Sequence, residues 1–160
     1  MKLLTLLYLF LLQNFLYSKE NIYILNSHYK TNATIFNLSD GSNYSTWSMK
    51  GSWTDNFSNF GRVDCAGQSE KNREKEISIY GICEIIDEKK IKKWWTIERN
   101  IGVSELGVGK SVQLAAEGYW SVLNGANCNY AIKHGEEYSY SITKCKITSN
   151  QAKSLSNKIN

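Results

Sequence analysis

Four cysteines fall into two pairs, each centred on a polar turn. Cys65 and Cys83 stand symmetrically about Asn72-Arg73-Glu74-Lys75, and Cys128 and Cys145 about Gly135-Glu136-Glu137. Residues equidistant from a hairpin turn face each other across antiparallel strands, with Cα atoms about 4.5–5.5 Å apart. That separation lies inside the range a disulfide tolerates. The spacing therefore predicts two stapled hairpins, 61–67 with 76–86 and 126–133 with 138–147. Four cysteines allow three pairings; the symmetry favours 65–83 with 128–145, and sequence alone leaves the other two open.

Disulfides persist in oxidising compartments, so the cysteines imply export. Residues 1–18 support this as a secretory signal peptide: Lys2 is a cationic start and Leu3 to Leu12 is apolar apart from Thr5. The apolar run is too short for a spanning helix of about 20 residues, and no later segment is long enough. The expectation is a periplasmic or secreted protein with no transmembrane anchor after cleavage. Loss of the leader removes one lysine and leaves 18 basic residues against 15 acidic, a net charge of +3. That mild balance gives no ground for a nucleic-acid partner. No zinc-type cysteine or histidine spacing is present and only His28 and His134 occur, so neither a metal nor a cofactor is expected. The chain has no proline, which fits a bias of the source genome better than any structural demand.

About 140 residues suit one domain, 19–147, with 19–32 loosely held and 148–160 a polar flexible tail. Apolar-aromatic runs at 33–38 and 44–53 are split by a turn at Asp40-Gly41. Residues 91–101 follow the turn Asp87-Glu88-Lys89-Lys90, and further strands are expected near 110–116 and 119–123. In 76–86, Ile77, Ile79, Cys83 and Ile85 share one parity, as a half-buried strand requires. In the second hairpin Cys128, Tyr130 and Ile132 share a face, but Cys145 shares its parity with Thr143 and Ser141. That clash implies either a bulge or two partly covered faces. Strands at this spacing, joined by short polar turns, predict an all-β fold: a small antiparallel barrel of about eight strands with two cross-strand disulfides, or failing that a sandwich.

The segment Gly118-Tyr119-Trp120-Ser121-Val122-Leu123-Asn124-Gly125 resembles the glycine–aromatic–apolar–glycine hairpin of allene-oxide-cyclase-like and dirigent-like barrels. It also resembles small uncharacterised exported bacterial proteins in which such a segment precedes a cysteine-bearing strand, here Asn127-Cys128-Asn129-Tyr130. The resemblance implies a barrel in which an aromatic fills one end, and a second glycine lets backbones approach. It carries over no active-site residue. Gly51-Ser52-Trp53 is similar to the Gly-x-Trp element of lipocalins and avidins, whose tryptophan plugs the closed end.

Gly107-Val108-Gly109-Lys110-Ser111 lacks the first glycine of a phosphate loop, since position 104 is Ser104, and reads as a glycine-rich connection. The charged run Glu88 to Lys93 ahead of Trp94-Trp95 reads as a solvated turn whose lysines guard a strand edge. Glu84, Glu98, Arg99 and Glu117 are the acid–base candidates, because a carboxylate held beside tryptophan inside a barrel has a raised pKa. With all four cysteines bridged, none is left as a nucleophile.

The leading expectation is non-enzymatic: a barrel mouth binding a small apolar or aromatic ligand, or an envelope protein partner. Candidate lining residues are Trp47, Trp53, Trp95, Tyr130, Glu84, Glu98 and Arg99. The alternatives are a cofactor-free isomerase or cyclase, as the allene-oxide-cyclase resemblance implies, and a structural protein with a filled barrel. A lumen larger than about 300 Å³ separates the hollow readings from the filled one. A buried carboxylate in it would favour the enzyme.

Overall fold

The computed structural model describes residues 21–73, 77–101, 107–135 and 137–157; the leader expected over 1–18 lies outside them. Eight strands follow one another as a meander: β1 (Asn21–Asn37), β2 (Asn43–Asp55), β3 (Phe60–Lys71), β4 (Ile77–Asp87), β5 (Lys92–Ile101), β6 (Val108–Ala116), β7 (Asn127–His134) and β8 (Ser139–Ile147). Each pairs antiparallel with the next, and β1 pairs with β8 to close the barrel. Closure removes the sheet edges that an open meander would expose.

Both disulfides are present, Cys65–Cys83 across β3 and β4 and Cys128–Cys145 across β7 and β8, with Cα separations of 4.0 and 4.2 Å. They are compatible with an oxidising location, and no helix among the described residues is long and apolar enough to cross a membrane. The parity clash at Cys145 needs no bulge, because Cys128 and Cys145 are in direct register and β8 alternates without interruption. Ser139, Ser141, Thr143 and Cys145 all point inward; this strand simply turns a hydroxyl-bearing face to the lumen.

Three expectations are corrected. Residues 19–32 are not loose from Asn21 onward: β1 pairs with β8 from that residue and with β2 from Leu25, and it buries Tyr23, Leu25 and Tyr29. Residues 119–123 are not a strand but part of a 3-10 helix, Gly118–Leu123. Nor are residues 148–157 a frayed tail, since Ser149–Ser156 form a helix, α1, with Leu155 fully buried; the last three residues of the expected tail lie outside the described ones. Thr148 caps it: its hydroxyl accepts from the Gln151 N–H, while the Gln151 side chain accepts from the Thr148 N–H.

The two helices close one end of the barrel. Trp120, on the 3-10 helix, is wholly buried and meets Trp53 and Tyr23 edge-on at ring separations of 5.8 and 6.1 Å. Gln151 of α1 donates to the Val122 carbonyl at 2.7 Å and so holds the 3-10 helix from outside. Gly118 and Gly125 bracket the plug with φ of +53° and +77°. A Cβ on Gly125 would meet nothing within 4 Å, so this glycine serves a left-handed turn and not the close approach expected of it.

The charged run after Asp87 is not uniformly solvated either. Lys93 points inward with 0% exposure, its Nζ 3.4 Å from the Trp120 ring centre, 4.2 Å from Trp53 and 2.8 Å from the Tyr23 hydroxyl. Cation–π attraction by several rings offsets part of the cost of taking an ammonium out of water. Lys92, one residue earlier, faces outward and pairs with Glu84 at 3.1 Å.

Candidate functional site

Above the plug the barrel is hollow. A cavity of about 230 Å³ runs between the sheet walls, bounded below by Leu25, Val63, Ile85 and Trp95 and reaching His134, Ala33 and Ser69 towards the other end. It falls short of the roughly 300 Å³ at which drug-sized pockets begin, so the volume expected to mark a hollow barrel is not reached. It exceeds the roughly 150 Å³ apolar cavity that accepts benzene. The interior is thus neither packed solid nor roomy, and its size suits a one- or two-ring compound or a short alkyl chain.

Glycines create part of this space. Trp47, Gly67, Gly81 and Ile97 form one row across β2 to β5. The Trp47 indole lies against both glycines, where an added Cβ would stand 2.3 Å and 2.4 Å from ring carbons. Paired glycines let a large lumen-facing side chain lie along the wall instead of across the lumen. On the opposite side Tyr130 lies over Gly109, whose Cβ would sit 2.6 Å from the phenol ring.

Of the expected lining residues, Trp47, Trp95, Tyr130 and Arg99 stand on the cavity wall. Trp53 does not; it is sealed in the plug below, with its indole N–H donating to the Ile86 carbonyl at 3.1 Å. Glu84 and Glu98 are corrected too, because their strand parity turns them outward: Glu84 to Lys92, and Glu98 to solvent. Glu117 also lies outside, accepting from the Lys92 N–H. Gly109 and Ser111 belong to a strand, not to a phosphate-type loop.

Sequence reasoning missed Tyr29, whose hydroxyl lies 2.9 Å from Ser141 Oγ. It missed Ser141 and Thr143 as well, which a hydrophobic-parity argument reads as outward. His134 stands at the rim with Nδ1 2.8 Å from Ser139 Oγ. Burial, and then the Arg99 charge, holds its pKa below the ordinary histidine value. The Tyr130 phenol is pushed up to about 12 by burial, which outweighs the opposing charge of Arg99. Both rings are therefore neutral at pH 7, and Arg99 is the one cation among the described lining residues. Arg99 Nε and Trp95 Nε1 are shut off from solvent without a hydrogen-bond acceptor among the described residues.

No Asp or Glu lines the cavity among the described residues, and no cluster of three or more metal-ligating side chains occurs among them. The arrangement offers an apolar enclosure, several neutral hydroxyls and one guanidinium. Comparison with protein-family models, curated proteins and solved structures gives no significant match for this chain.

Proposed function

We propose that this is an exported, non-enzymatic binding protein whose barrel lumen takes one small apolar ligand. The observation that carries this reading is the cavity of about 230 Å³, open at one end and walled mainly by apolar side chains above a sealed aromatic floor. A void of that size is costly for a core to keep, since unfilled apolar volume destabilises a fold in proportion to its size. Retention of the void makes sense if something fills it. Export is proposed on two grounds: both disulfides suit an oxidising compartment, and the first 18 residues have the composition of a secretory leader.

The test is calorimetric titration of the oxidised protein with neutral probes of graded size, butanol to decanol, alongside Ile97→Trp. Ile97 lies on the cavity wall, so tryptophan there occupies lumen volume. Binding should strengthen with chain length up to a limit set by the cavity and then stop improving. Ile97→Trp should move that limit to shorter chains. Failure of every probe to bind, with or without charge, would remove the reading; so would a length limit that Ile97→Trp leaves in place.

A further inference from the structure

We propose that the ligand of this lumen is a small apolar carboxylate, its acid group held by the guanidinium of Arg99. The inference rests on the lumen being a binding site and names the chemistry it selects. Arg99 lies near the open end of β5, six residues after the buried Lys93 and on the same inward face. At about 3.3 Å of rise per residue it stands roughly 13 Å along the strand from Trp95, which sits deeper.

A guanidinium remains charged at any accessible pH and presents N–H donors only, so its burial is tolerable only with acceptors in place. Arg99 Nε is shut off from solvent and has no acceptor among the described residues, and no described carboxylate faces the same space. Among the described residues the neighbouring side chains do not supply the missing charge. Tyr130 and His134 are neutral at pH 7, and the Ser, Thr and Tyr hydroxyls carry none.

A planar carboxylate matches the guanidinium fork, accepting two parallel hydrogen bonds. The remainder of the molecule would then point down into the wall of Leu25, Val63, Ile85 and Trp95. Two features limit the class. The volume admits about eight to ten carbon atoms, between the benzene-sized and drug-sized limits. The single cation in the described lumen suits a monoanion better than a phosphate dianion, because Lys93 is sealed behind Trp53 and Trp120. The expected ligands are thus short-chain or aryl-substituted carboxylic acids.

Octanoate, octanol, octyl sulfate and octylamine share one apolar body and differ in the head group, so titrating all four isolates the role of Arg99. The wild-type protein should bind octanoate at least tenfold more tightly than octanol, and octylamine most weakly. Arg99→Met should abolish the preference for octanoate over octanol. Arg99→Lys should restore part of the preference. Thermal unfolding of each variant confirms that the barrel is intact.

Equal affinity for octanoate and octanol in the wild type overturns the inference while leaving the lumen reading standing. So does a preference that survives Arg99→Met. Octyl sulfate binding as tightly as octanoate overturns the carboxylate assignment in favour of a general anion site. If none of the four binds, the lumen reading fails with it.

Discussion

Asp87 organises the closed end through one carboxyl group. Oδ1 accepts from the Lys89 and Ile91 N–H groups at 2.9 and 2.8 Å, and Oδ2 accepts from Trp120 Nε1 at 2.9 Å and from the Tyr119 hydroxyl. Burial works against its ionisation, but these donors together outweigh burial and hold the carboxyl below its ordinary value. Its stabilising contribution is therefore complete above the unfolded-chain value of about 3.9 and is lost as pH falls through the lower folded one. Asp87→Asn turns an acceptor into an NH₂ facing donors. The variant should lose about 1.5–3 kcal/mol at pH 7 and show a flatter stability profile between about pH 5 and pH 2, as urea midpoints across that range would show. At this scale the sequence was uneven in what it disclosed. Tryptophan and cysteine positions were readable because their size and chemistry leave few alternatives. Lys93 was not, because in Lys-Lys-Ile-Lys-Lys only strand parity separates one lysine from the rest. The clue was present: Lys93 shares parity with Trp95, Ile97 and Arg99, whereas Lys92 shares it with Trp94 and Glu98.

Among the elements, the strands were readable from turn spacing and the two helices were not. Tyr-Trp-Ser-Val-Leu has strand composition, yet it lies between two glycines of positive φ and coils into the plug. Burial of Trp120 against Trp53 and Tyr23 overrides local preference there, as tertiary context commonly does. In α1 the apolar contact reduces to Leu155 with Ala152 beside it, too sparse for a periodicity argument. The legible trace was the capping pair Thr148 and Gln151. Because Gln151 ties α1 to the 3-10 helix and Leu155 is the side chain that seats α1 in the core, Leu155→Ala should act beyond its own contacts. A loss of about 2–5 kcal/mol is expected, with altered near-ultraviolet circular dichroism from the Trp120 cluster. An unchanged aromatic spectrum with a small stability loss would mean that the plug stands without α1.

The whole barrel is stapled on opposite sides, since β3–β4 and β7–β8 lie four strands apart around a ring of eight. Each disulfide closes a loop of nearly twenty residues and stabilises by about 3 kcal/mol on the chain-entropy model. Their local consequences should differ. β3 and β4 are in register from Gly61↔Asp87 to Lys71↔Ile77, whereas β6 and β7 pair only from Val108↔Ala131 to Val112↔Asn127. Removing Cys128–Cys145 by paired alanines should accelerate amide hydrogen exchange in β6, β7 and β8 well before global unfolding, whereas removing Cys65–Cys83 should leave local protection of β3 and β4 largely intact. Equal, uniform acceleration in both variants would contradict this. The closed eight-stranded meander was legible because symmetric cysteines fixed two hairpins and regular turns filled in the others. The hollow was not, because it depends on which inward positions lack a side chain. Gly67 and Gly81 look like ordinary strand glycines until Trp47 is seen lying on them. Those two missing methyl groups act as a calibrated gauge of lumen width: an added Cβ would stand 2.3 Å from the indole and 2.4 Å from the Tyr80 carbonyl at Gly67, or 2.4 Å from the indole and 2.9 Å from the Ala66 carbonyl at Gly81, so an alanine at either position must displace ring and wall together.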